Sequence, residues 1–115
     1  MEKYQGGCHC GAIRFQVELE LTQLAACNCS ICSKQGALRA FAPADRFELL
    51  QGAEAVSDYQ FGKKNIHHLF CKTCGIASFG RGVSNQGERV SINVRCLDGV
   101  DLANLKVVEY DGKSR

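Results

Sequence analysis

Three groups of thiols dominate the chemistry this sequence could carry: Cys8-x-Cys10, Cys27-x-Cys29-x-x-Cys32 and Cys71-x-x-Cys74, with Cys96 standing alone. Neighbours this close rarely pair as unstrained disulfides, whereas their thiolates are good ligands for Zn²⁺. Met1-Glu2-Lys3-Tyr4-Gln5 leads straight into the first pair without the features of a secretion signal. A reducing, cytoplasmic setting is therefore expected, in which cysteines serve metal and not disulfides.

Cys71-Lys72-Thr73-Cys74-Gly75 has the spacing of a zinc knuckle, a tight turn that aims two sulfurs at one ion; Gly75 suits the left-handed position such turns use. A structural zinc needs four ligands, and Cys8 and Cys10 are the natural second pair. Their i, i+2 spacing sets both side chains on one side of extended backbone. Gly6, Gly7 and Gly11 would permit the bend that brings the sulfurs to the roughly 3.8 Å implied by ~2.3 Å Zn–S bonds. Cys8, Cys10, Cys71 and Cys74 are thus expected to hold a closed, structural zinc that staples distant parts of a small chain. Reading them as buried small hydrophobes leaves the clustering without a reason.

Cys27, Cys29 and Cys32 offer three sulfurs within six residues, enough to wrap one face of a second zinc and leave its fourth corner open. This is the arrangement of catalytic sites, so these three are the candidate catalytic ligands. Three thiolates on Zn²⁺ carry a net charge near −1, which blunts Lewis acidity toward oxygen but suits an incoming soft thiol. The expected complement is therefore two zinc ions and a small thiol. The competing arrangement closes the corner with Cys96, His67, His68 or His9. Cys96 shares the apolar parity of Val90, Ile92 and Val94 and reads as a core thiol. His67 and His68 point to opposite faces of a strand, and His9, between two ligands, points away. Ser30 and Ser33 read as turn hydroxyls. If the thiol carries carboxylates, Lys34, Arg39, Arg81 and Arg95 are candidates for a cationic wall.

The elements that must position these residues are mostly β. At 115 residues, with 45% hydrophobic and 23% charged residues, the chain supports one core, and residues 1–115 are expected to form a single domain. Ile13, Phe15, Val17, Leu19 and Leu21 alternate with polar residues, as a strand with one buried face does. The same period returns through Val90, Ile92, Val94 and Cys96. Shorter segments at Phe47 to Leu50, Val56 to Phe61, Ile66 to Phe70 and Ile76 to Gly80 read as further antiparallel strands. Helix is confined to single turns at Ser30 to Gln35 and at Leu102 to Leu105, the latter capped by Asp101. A net charge of +2, with Lys63-Lys64 the longest basic run, gives little basis for nucleic-acid binding. No apolar run approaches the ~18 residues of a membrane span, and nothing bears on oligomeric state.

With these residues in place, the sequence resembles the glutathione-dependent formaldehyde-activating enzyme family, whose domain is shared with centromere protein V. Four segments carry the resemblance: Gly7-Cys8-His9-Cys10-Gly11-Ala12-Ile13-Arg14-Phe15, Cys27-Asn28-Cys29-Ser30-Ile31-Cys32 with Gly36-Ala37-Leu38, His68-Leu69-Phe70-Cys71-Lys72-Thr73-Cys74-Gly75, and Ile92-Asn93-Val94-Arg95-Cys96-Leu97-Asp98. It implies a β-tent, small antiparallel sheets leaning together around zinc sites, and the same division into a structural and a catalytic set of cysteines. It further implies a carbon–sulfur lyase type of activity, with glutathione and formaldehyde joined as S-(hydroxymethyl)glutathione. Kinship with centromere protein V implies a second reading, a non-enzymatic zinc module that binds a partner. A third, a redox-active or metal-storage thiol protein, follows from thiol content alone.

Overall fold

The computed structural model describes residues 2–28, 30–61, 66–84 and 87–110. The chain runs β1 (Glu2–Gly7), β2 (Arg14–Leu19), β3 (Gln23–Cys27), a single helical turn α1 (Cys32–Gln35), β4 (Leu38–Pro43), β5 (Phe47–Gln51), β6 (Val56–Tyr59), β7 (Ile66–Cys71), β8 (Phe79–Ser84), β9 (Gly87–Asn93) and β10 (Lys106–Tyr110). The protein is mostly β with little helix, as the alternating patterns require. A three-stranded sheet has the order β1-β2-β5, and a seven-stranded one has the order β10-β3-β4-β9-β8-β7-β6.

Alternation in β2 does what its period dictates: Phe15, Val17 and Leu19 are buried, while Arg14, Gln16 and Glu18 are only partly covered. That face meets Ala40 and Ala42 of β4 and Val90 and Ile92 of β9, which lie opposite one another in the large sheet. Aromatic rings fill the middle. Phe15, Phe47 and Phe79 have centroids 4.8 to 5.8 Å apart, and the Arg81 guanidinium covers Phe47 at 5.1 Å and Phe79 at 5.7 Å. Offset ring packing and a cation over an aromatic face each add modestly to the area buried.

Several elements depart from the expected pattern. The late strand stops at Asn93, whose side chain accepts from the Arg95 backbone N–H and starts a 3₁₀ turn over Val94–Cys96. Cys96 therefore leaves the strand parity of Val90 and Ile92 and ends half-buried. Ile76 to Ser78 are not strand; β8 begins at Phe79, because Cys71 to Gly75 turn back on themselves. β1, β3, β4 and β10 carry no alternation that marks them in the sequence. β10 runs parallel to β3, with Val108 opposite Ala25 and Tyr110 opposite Cys27, while the other strand pairs among the described residues are antiparallel, in keeping with the mostly antiparallel expectation. The two helical turns do form: α1 within Ser30 to Gln35, and a 3₁₀ turn at Leu102–Asn104 capped by the Asp101 side chain. Among the described residues no helix is long and apolar enough to cross a membrane.

Candidate metal centre

Two tight turns converge to build the first site. Cys8 follows the last residue of β1, and its backbone N–H donates to the Ile13 carbonyl at 3.2 Å; Cys71 ends β7, and its N–H donates to Ile76 at 3.0 Å. Both turns thus close five residues beyond their first cysteine. Gly75 takes the left-handed conformation, φ 80°, that the knuckle needs, and its N–H donates to the Cys71 carbonyl at 2.9 Å. Gly6 and Gly7 serve a different purpose from the bend expected of them. They lie in β1, where a Cβ on Gly7 would sit 2.1 Å from the Ile13 carbonyl oxygen and one on Gly6 would sit 2.4 Å from that of Cys96. Glycine is required there for close approach of backbones.

The result is a cluster of four sulfurs, those of Cys8, Cys10, Cys71 and Cys74, all within 4.8 Å of one another. Cys10 Sγ is 3.7 Å from both Cys8 Sγ and Cys71 Sγ, close to the edge of a tetrahedron built on ~2.3 Å metal–sulfur bonds. Backbone N–H groups face the sulfurs: Ile13 donates to Cys8 Sγ at 3.3 Å, and Thr73 and Cys74 donate to Cys71 Sγ at 3.4 and 3.5 Å. These donors stabilise thiolate over thiol. They hold Cys71 below its ordinary value, the Cys74 N–H foremost. Cys74 is held down to about 6, chiefly by the backbone N–H of Ile76. Cys10 goes the other way, up to about 11: the Ala12 N–H is its largest single influence and lowers it, but burial and the neighbouring thiols prevail. Four thiolates so close repel one another, and a dication removes that conflict. The donor set, its spacing and its backbone support fit a thiophilic metal such as zinc.

The second cysteine group lies elsewhere. Cys27 ends β3 and Cys32 opens α1, both half-buried, with Asn28 and Ser30 exposed between them. Cys29 lies outside the described residues. α1 is short and closes on Gly36, whose N–H donates to the Cys32 carbonyl. The Ser33 hydroxyl donates to the Ser30 carbonyl at 3.3 Å, a turn contact.

The other candidates scatter. His9 is exposed in the first turn. His67 Nδ1 is 2.7 Å from Asp58 Oδ2. His68, on the opposite face, stacks on Phe61 at 5.2 Å and is lowered by burial first, then by the charge of Arg39. None of the three joins the four-sulfur cluster. Burial pushes the Cys96 thiol up, with Arg39 lowering it and Cys8 and Cys74 raising it, so Cys96 stands electrostatically between the cluster and Arg39. Of the four cations, Lys34 and Arg95 are exposed and Arg81 lies on the phenylalanines. Arg39 differs: it is only 7% exposed and donates through Nη2 to Gln35 Oε1 at 2.9 Å. The sequence marks Gln35 only as the end of a helical turn and leaves the strand that carries Arg39 unmarked, since Leu38 to Pro43 shows no clean alternation.

A mostly β protein with four cysteine sulfurs that could hold a metal ion, gathered at the meeting of two knuckle-like turns, is the class that fold and site define. The model of the glutathione-dependent formaldehyde-activating enzyme family matches residues 3–109, and the chain belongs to that family. It is also similar to the crystal structure of a Rhodobacter sphaeroides protein, with 34% sequence identity and a TM-score of 0.78, covering 90% of this chain and 99% of that one.

Proposed function

We propose that the protein is a zinc-dependent enzyme of the carbon–sulfur lyase type that joins a small thiol, glutathione or a close analogue, to formaldehyde or another small carbonyl compound, or runs the reverse. Membership of the family carries this reading, and the separation of the four-sulfur cluster from the Cys27–Cys32 loop supports a division of labour between two zinc ions. Cys8, Cys10, Cys71 and Cys74 would saturate one ion and hold the fold. Cys27, Cys29 and Cys32 would hold the other from one side, leaving a corner for the substrate sulfur.

A zinc ion held there supplies a lowered thiol pKa, so that the substrate is a thiolate near neutral pH. The chemistry that follows is an addition. The sulfur lone pair forms a C–S bond to the carbonyl carbon, the C=O π pair moves to oxygen, and a proton from water or a side chain converts the alkoxide to the hydroxymethyl product. No oxidant or reductant is consumed. Residues 1–115 would act as one domain in a reducing cytoplasmic setting, on small molecules and without nucleic acid or membrane.

Calorimetric titration of the zinc-loaded protein with glutathione tests the reading. Uptake of one thiol per chain, lost in Cys29→Ser while the fold is retained, is expected; a wild-type protein that takes up no thiol would refute it. The non-enzymatic module is the second reading, and the kinship with centromere protein V motivates it. It would show itself as a folded, zinc-replete protein indifferent to thiols.

A further inference from the structure

Among the described residues, Arg39 is the only charged residue that the fold buries, at 7% exposure. A guanidinium held away from water is costly unless an anion balances it. No described carboxylate does so: Arg39 takes part in no ion pair among the described residues, and it donates to the neutral Gln35 Oε1 at 2.9 Å. Glu20 lines the same surface cavity as Arg39 but stays beyond ion-pair distance. Cys96 feels the charge of Arg39, yet burial raises that thiol and keeps it neutral. His68, lowered by burial first and then by Arg39, has no negative charge to offer.

The fold sets this unbalanced cation beside the second cysteine group. Arg39 of β4 stands opposite Ala25 of β3, and Cys27 follows Ala25 on the same face, roughly 7 Å further along the strand. On the other side of the loop, Gln35 closes α1, the single turn that Cys32 opens. Residues three apart on a helical turn are neighbours on its surface, with Cβ atoms about 5–6 Å apart. The side chain that accepts from Arg39 therefore stands next to Cys32. Strand pairing links Arg39 to the element that carries Cys27, and a hydrogen bond links it to the element that carries Cys32.

We propose that Arg39 is the counter-charge of the Cys27–Cys32 metal site, stabilising the thiolates that hold the ion. The proposal rests on the reading of that loop as a zinc site and adds a residue that tunes it. Three thiolates around Zn²⁺ leave one excess negative charge, and a further thiolate on the open corner raises it to two. A guanidinium fixed nearby, always protonated and largely stripped of water, offsets that charge more strongly than an exposed cation can. The benefit is mutual, because the thiolates supply the anion that the buried cation otherwise lacks. Arg39 acts through the metal ligands and not on the reacting atoms, so it is a positioning residue.

The affinity for each of two zinc ions, measured at fixed pH by competition with a chromophoric chelator, tests the assignment. Arg39→Met removes the charge and Arg39→Lys keeps it. Arg39→Met is expected to weaken the second zinc roughly tenfold or more while the first is unchanged, and Arg39→Lys to recover most of that loss. A matched pair on the exposed side of α1 covers the case in which Arg39→Met is recovered unfolded. Gln35→Glu and Lys34→Gln each make the chain more negative by one charge, but only Gln35→Glu neutralises Arg39 in place, and it alone should weaken the second zinc, since exposed charges are screened. Equal effects of that pair, or an Arg39→Lys no better than Arg39→Met, would overturn the counter-charge and leave the metal site standing. A wild type that binds a single zinc would remove the site itself, and the proposal with it.

Discussion

Within the four-sulfur cluster, Cys74 and Cys10 differ because their surroundings differ. Backbone donors keep Cys74 near 6, whereas for Cys10 the lowering by the Ala12 N–H is outweighed by lost hydration and by the thiols of Cys8, Cys71 and Cys74, which drive it to about 11. Near neutral pH the metal-free cluster therefore binds protons that a metal must displace, with Cys10 protonated and Cys74 largely ionised. Metal affinity is expected to rise with pH between 6 and 8, by about tenfold per unit for the proton displaced from Cys10 and by less for the partly ionised Cys74, as read by competition with a chromophoric chelator. A second titration lies on the surface. Arg14 donates to Asp98 and holds its carboxyl below the usual range. A depressed carboxylate stabilises the fold above its unfolded pKa, and that contribution fades as pH falls through the folded value. Asp98→Asn should cost about 0.5 kcal/mol at pH 7 in this largely exposed pair, with the difference from wild type gone near pH 2, measured by urea unfolding.

At the scale of elements, the backbone approaches decide most. β1 passes so near Ile13 and Cys96 that Gly6 and Gly7 cannot carry a Cβ without moving backbone. Gly7→Ala is expected to lose roughly 2–3 kcal/mol, against about 1 kcal/mol for Gly75→Ala, whose left-handed turn has open space around it. Chemical denaturation of the two variants orders them. Spacing in the sequence was enough to pick out the four thiols that meet, because ligand type and knuckle geometry are local properties. The period of Phe15, Val17 and Leu19 likewise made β2 legible. β4 was not legible, since its inner face presents only Ala40 and Ala42 while its outer face carries Arg39 and Phe41. The burial of Arg39 depends on α1 and the neighbouring strands, so no local pattern announces it. Cys96 misled for a related reason: the Asn93 side chain ends the strand before the apolar parity runs out.

Taken as a whole, the molecule relies on long-range closure. The sheet β10-β3-β4-β9-β8-β7-β6 joins the last strand to β3 in parallel, a pairing that needs a long crossover and cannot be inferred from short-range signals. The cluster of Cys8 and Cys10 with Cys71 and Cys74 ties the turn between β1 and β2 to the turn between β7 and β8. Metal there would remove loop-closure entropy much as a disulfide does, by about 4 kcal/mol for a loop of this length. Stripping metal with a strong chelator is therefore expected to lower the melting temperature by roughly 15 °C, followed by circular dichroism, and restoring zinc should recover it.

We infer that two metal ions with different roles bind this chain, and elemental analysis of freshly purified, reduced protein counts them. Two zinc ions per chain are expected, falling to one in Cys27→Ser with Cys32→Ser while the protein stays folded. One zinc per wild-type chain, unaffected by loss of those two thiols, would contradict it.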